Sequence, residues 1–157
     1  MKKIALFVDV QNIYYTSRDT FSRQFNYRKL WETVSNEGDI VIANAYATHR
    51  GDDNQIKFQD ALKHIGYTVK LKPFIQRADG SAKGDWDVGI TIDVMEAAKE
   101  VDTVILLSGD GDFGLLLEKI KNDYDVKTEV YGVLELTAKN LIESANVFHK
   151  IDDNLLL

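Results

Sequence analysis

The sequence contains no cysteine and a single proline, Pro73. Without thiols there are no disulfides, zinc–thiolate sites, iron–sulfur clusters or cysteine nucleophiles. Low-complexity tracts, internal repeats and Gly/Ser-rich linkers are missing too, so no composition break divides the chain. Long apolar runs are also missing. The opening Ile4-Ala5-Leu6-Phe7-Val8 stops at Asp9, too short for a signal-peptide core, and no stretch approaches the length of a membrane helix. The three histidines, His49, His64 and His149, form no site by their spacing, and His64 and His149 read as structural or solvated residues. These absences predict a cytoplasmic chain forming one domain over residues 1–157.

What is present suits a globular protein: 45% hydrophobic and 28% charged residues, enough apolar material for a sizeable core. The net charge of −6 is unevenly spread. Residues 1–83 carry 13 Lys and Arg against 9 Asp and Glu, whereas residues 84–157 carry 6 against 16. A basic substrate-facing surface beside an acidic centre has this distribution, and so do two differently solvated faces.

Short apolar runs rich in β-branched residues alternate with helical patterns. Strands are predicted over residues 3–8, 40–47, 68–74, 103–107 and 126–133, with 147–151 a short last strand or an extended tail. Helices are predicted over 27–37, 53–65, 87–99, 113–124 and 137–144. Such alternation implies right-handed βαβ crossovers and a mainly parallel sheet covered on both faces. Open sheets of this kind hold their sites at the carboxyl ends of the strands, near the point where strand order reverses.

Aspartates fall at those ends. Asp9 closes the first strand, Asp110 and Asp112 follow the strand over 103–107, and Asp87 begins a helix after Lys83-Gly84-Asp85-Trp86. Any one of them is equally a helix cap or turn residue. Together they form a pattern. Carboxylates about 4 Å apart repel by roughly 4 kcal/mol at an effective dielectric near 20, so a shared edge calls for a cation or a proton. Oxygen donors without thiolate or imidazole favour Mg²⁺ or Mn²⁺ over zinc. Gly109 and Gly111 flank Asp110 and are read as allowing tight turns and close approach of a ligand. Asn12 and Ser108 offer an amide and a hydroxyl to orient carboxylates or contact substrate.

Three segments carry a resemblance: Phe7-Val8-Asp9-Val10-Gln11-Asn12; Lys83-Gly84…Asp87-Val88 running into Ile92-Asp93; and Ser108-Gly109-Asp110-Gly111-Asp112-Phe113. In order and spacing they resemble the signatures of the NYN domain, in the LabA-like branch of the PIN-like nuclease superfamily. The resemblance implies a three-layer α/β/α fold with a mainly parallel central sheet, PIN-like and Rossmannoid. It also implies an Mg²⁺- or Mn²⁺-dependent acidic site that cleaves RNA. The carried-over acidic roles go to Asp9, Asp87, Asp110 and Asp112, and the amide role to Asn12. Asp93, six residues beyond Asp87 and about 120° away around a helix, is read as supporting or structural. Two residues, Asp85 and Trp86, separate Gly84 from Asp87 where the family commonly has one. Either Asp85 or Asp87 then points at the metal, and the helical pattern favours Asp87. Gly111 stands where serine is frequent.

A surface for single-stranded RNA is expected around Lys70, Lys72, Arg77 and Lys83, with Phe74 and Trp86 nearby and His49 and Arg50 at the same sheet edge. Arg77 and Lys83 are the leading phosphate contacts. The competing account has Phe74 in the core, Lys70 and Lys72 as solvated positions of an edge strand, and Trp86 packing a helix start. Tyr14 and Tyr15 either wall the pocket or pack the first helix. A metal-dependent endoribonuclease is the leading function. The alternative is a regulatory module binding RNA, a nucleotide or a protein partner with little turnover, since some LabA-like members are known by regulatory effects. An aspartyl-nucleophile phosphatase fits poorly, because Gln11 occupies the position of its second acid. A dinucleotide-binding domain lacks its Gly-rich turn. Leu155-Leu156-Leu157 reads equally as a contact with a second copy in a homo-oligomer and as a docked terminus.

Overall fold

The computed structural model describes residues 1–49, 51–73, 75–76, 82–83 and 85–157, without the side chains of 73, 75, 76, 82 and 83. Six strands form one parallel sheet: β1 (Lys3–Asp9), β2 (Asp39–His49), β3 (Thr68–Pro73), β6 (Thr103–Leu107), β7 (Lys127–Gly132) and β8 (Val147–Lys150). Two further two-residue strands, β4 (Ile75–Gln76) and β5 (Ala82–Lys83), pair antiparallel outside that sheet. The sheet order is β3-β2-β1-β6-β7-β8. The chain builds outward from β1 in one direction and then crosses back to build in the other, so strand order reverses between β1 and β6.

Six α-helices cover the sheet: α1 (Val10–Phe21), α2 (Tyr27–Ser35), α3 (Asp53–Ile65), α4 (Asp87–Ala98), α5 (Gly114–Tyr124) and α6 (Lys139–Ser144). Side chains of β1 alternate between two cores, as the strand period requires. Ile4, Leu6 and Val8 pack with Ile13 of α1, Leu30 and Val34 of α2 and Leu62 of α3. Ala5 and Phe7 pack with Ile90 and Val94 of α4, Leu117 and Ile120 of α5 and Leu141 of α6. Helices therefore lie on both faces, giving three layers. Each fully buried Leu, Ile or Phe contributes about 1.5–3 kcal/mol relative to exposure. No helix among the described residues is long and apolar enough to cross a membrane.

Several expected boundaries move. α1 lacks a clear apolar signature because its inward positions are Val10, Ile13 and Ser17, and a hydroxyl breaks the stripe. The helix expected from residue 113 is preceded by a 3₁₀ turn at Gly111–Phe113, for which the Asp110 side chain accepts from the Asp112 N–H. Likewise a 3₁₀ turn at Leu134–Leu136 precedes α6, which begins at Lys139. The third strand ends at Pro73, and Phe74 lies outside the described residues. At the C-terminus the docked alternative applies: Leu155 and Leu156 are buried, and Leu156 bridges Phe25. Arg23 donates from Nε to the Leu157 carbonyl and pairs with Asp153.

Candidate active site

The acids gather at the carboxyl ends of β1 and β6, where strand order reverses. Asp9 ends β1 as its last residue and is nearly buried. It accepts a hydrogen bond from the Ser108 hydroxyl at 3.1 Å, and the same hydroxyl oxygen accepts from the Asp110 N–H at 3.2 Å. Ser108, fully buried directly after β6, therefore connects the two strand ends. The Asn12 side-chain oxygen makes a second connection by accepting from the Gly109 N–H at 2.9 Å. α1 and the loop after β6 are fixed to one another before any ligand arrives.

Asp87 comes from the opposite helical layer. It is the first residue of α4, and its N–H is 3.3 Å from a carboxylate oxygen of Asp85. Carboxylate oxygens of Asp87, Asp110 and Asp112 lie within 4.8 Å of one another. Asp85 thus stands at the helix start while Asp87 reaches the cluster. Asp9 is outside that mutual grouping but electrostatically coupled to it. Its carboxyl is pushed up to about 6, first by burial and then by the charges of Asp110 and Asp85, against the lowering bonds from Ser108 and Asn12. The Asp87 carboxyl rises to about 7 through burial, a hydrogen bond with Asp110, and the charges of Asp110, Asp85 and Asp9. No lysine or arginine among the described residues forms an ion pair with any of these five aspartates.

The glycines of this loop have a different reason from the expected one. Neither takes a positive φ. A Cβ on Gly109 would sit 2.5 Å from the Leu136 carbonyl oxygen, and one on Gly111 would sit 2.6 Å from the Asn140 Oδ1. Close approach here is by the protein's own chain. Asn140 donates to the Gly111 carbonyl at 2.8 Å and so supports the acidic loop from below. Sequence reasoning missed Asn140, because nothing in the motif spacing marks a residue 29 positions away.

Other expected residues are placed elsewhere. Asp93 accepts from the Tyr46 hydroxyl at 2.8 Å and pairs with Lys70 at 2.7 Å. Lys70 is therefore not simply solvated, because its side chain reaches a carboxylate of α4. Trp86 donates from Nε1 to the Ala47 carbonyl at 2.9 Å, fixing the start of α4 to β2. Tyr14 is half exposed beside Tyr15, with Arg18 over both rings. His149 bonds Glu129 at 2.6 Å on the outer strands, and His64 is exposed on α3. Arg50 and Arg77 lie outside the described residues, as does the side chain of Lys83.

A family model for the NYN domain matches residues 3–152. The chain belongs to the NYN domain family. This NYN domain is LabA-like: over 127 residues it is 30% identical to the low amplitude and bright protein LabA of Synechococcus elongatus, spanning 76% of this chain and 68% of that protein. It also superposes on the crystal structure of a Vibrio parahaemolyticus protein of unknown function with a TM-score of 0.95. The two are 52% identical, and the match covers 99% of this chain and 96% of the other. The fold is α/β and agrees with a PIN-like three-layer arrangement. Family membership puts the NYN domain, with its acidic cluster, in a nuclease-like superfamily.

Proposed function

We propose that this NYN domain is an Mg²⁺- or Mn²⁺-dependent endoribonuclease acting on single-stranded RNA in the cytoplasm. The observation that carries this reading is the convergence of Asp87, Asp110 and Asp112 within 4.8 Å, with no described ion-pair partner. Carboxylates gathered this closely, with no cation of their own, fit a small hard divalent ion. Asp87, Asp110 and Asp112 would hold it, with Asp9 the fourth acid at its margin. A divalent ion so held supplies Lewis acidity that activates water and stabilises charge developing on a phosphodiester.

The protein's own groups supply orientation. The Ser108 hydroxyl donates a hydrogen bond to the Asp9 carboxylate and accepts one from the Asp110 N–H, so the Asp9 side chain and the Asp110 backbone are held together. Asn12 holds the Gly109 N–H, which prevents the loop from spreading under the mutual repulsion of its carboxylates. Asp85 accepts from the Asp87 N–H and adds negative potential, while Asp93 orients α4 through Tyr46 and Lys70.

The test incubates labelled single-stranded RNA, with single-stranded DNA in parallel, with the protein in Mn²⁺ or in EDTA. Endonucleolytic products are expected with RNA and Mn²⁺, and Asp110→Asn should slow cleavage by about a hundredfold or more, the size of several kcal/mol of lost charge stabilisation. Cleavage that survives both EDTA and Asp110→Asn would sink the proposal. Metal-dependent RNA binding without products would leave a binding module in its place.

A further inference from the structure

Two lysines on one strand face meet different fates. Lys70 and Lys72 are two residues apart on β3, so their side chains leave the same side of the sheet, toward the layer of α4. The Lys70 ammonium is neutralised by Asp93 at 2.7 Å. Lys72 has no carboxylate partner among the described residues. Its ammonium instead lies 4.9 Å from the centroid of the Trp86 ring.

The indole is itself held firmly. Its Nε1 donates to the Ala47 carbonyl, its ring packs 5.3 Å from that of Tyr46, and it lies so close to α4 that a Cβ on Gly89 would sit 2.6 Å from it. A ring fixed this way holds a cation at a set place without cancelling its charge, since an aromatic face attracts an ammonium through its quadrupole alone. The place matters. Lys72 is paired in register with Thr48 near the carboxyl ends of β3 and β2, and Trp86 immediately precedes Asp87. The cation therefore stands at the sheet edge that carries the acids, on the β3 side of them.

We infer that Lys72, held over Trp86, is a phosphate-binding residue for a single strand running from β3 across the acidic cluster. The inference rests on the nuclease reading above and adds the side from which the strand approaches. Trp86 is then the support for a cation rather than a stacking platform for a base. The strand's negative backbone meets Lys72 before it meets the carboxylates, which would otherwise repel it.

Binding of a fluorescent oligouridylate to the Asp110→Asn protein, followed by anisotropy over a range of salt, tests this. Adding Lys72→Gln should weaken binding about fivefold at low salt, with the gap closing as salt rises. The slope of log K against log salt should become shallower by about 0.7, the release of one counterion from a single strand. Lys70→Gln in the same background should leave that slope unchanged, and thermal melts of each variant separate lost folding from lost contact. An unchanged slope for Lys72→Gln, with the parent binding RNA and the wild type cleaving it, overturns this inference and leaves the nuclease reading standing. No RNA binding by the parent and no cleavage by the wild type overturns both.

Discussion

Asp9 and Asp87 hold protons well above the ordinary carboxylate range, at about 6 and about 7 against 3.8, with burial the first cause in each. The direction fixes how stability must respond. A folded-state value above the unfolded one means that between about 3.8 and 7 the native protein keeps a proton the unfolded chain has lost, so stability falls as pH rises through that window and levels off above it. Asp87 is partly exposed, so solvent screens some of this effect. For metal-free protein, the melting temperature of the wild type relative to Asp87→Asn should drop by about 2–4 °C between pH 4.5 and pH 7.5. Mn²⁺ should abolish the drop by binding the ionised form. Differential scanning calorimetry at several pH values reads both effects. A flat difference in metal-free protein would mean that Asp87 does not carry the raised proton affinity.

At the scale of the element, α4 is placed by its first turn. Gly89 lets the Trp86 indole lie on the helix, and Trp86 in turn reaches the Ala47 carbonyl. Alanine at 89 is the better helix former by about 1 kcal/mol, yet its methyl would meet a rigid, anchored ring. The crowding should dominate: Gly89→Ala is expected to cost about 1–3 kcal/mol in urea denaturation. It should also weaken Mn²⁺ binding measured by calorimetry, because Asp87 moves with the turn. A variant more stable than the wild type would show that the indole simply swings away. Elements themselves were unevenly legible. β1 and β6 announce themselves because nearly every residue is apolar and both sheet faces are covered. α1 does not, since Ser17 replaces an apolar residue on its buried side. The aspartates at strand ends were legible from type and position. Trp86 at a helix start was one of two readings, but its bond to Ala47 was not legible, nor were Asn140 and the Lys70–Asp93 pair, because each rests on a contact between distant segments that no spacing encodes.

Over the whole molecule, the last residues return to the start of α2 and close the core beside it. The Asn26 N–H donates to the Leu155 carbonyl, the Leu157 N–H to that of Gln24, and Leu156 bridges Phe25. Leu156 is 5% exposed and Leu157 is 65% exposed, so neighbouring leucines should differ sharply. Leu156→Ala is expected to cost about 2–4 kcal/mol in a denaturant titration, and Leu157→Ala less than about 0.5 kcal/mol. Equal losses would mean that this terminus packs differently in solution. The sequence left docking and self-association equally open there because three consecutive leucines carry no periodicity.

Among the described residues, strand β3 also forms one margin of the six-stranded sheet, the kind of edge at which a neighbouring strand can add itself. Its two lysines and its terminal proline, which has no amide hydrogen to offer, make that margin a poor template. Those charges thereby also discourage the sheet-upon-sheet growth that ends in fibres.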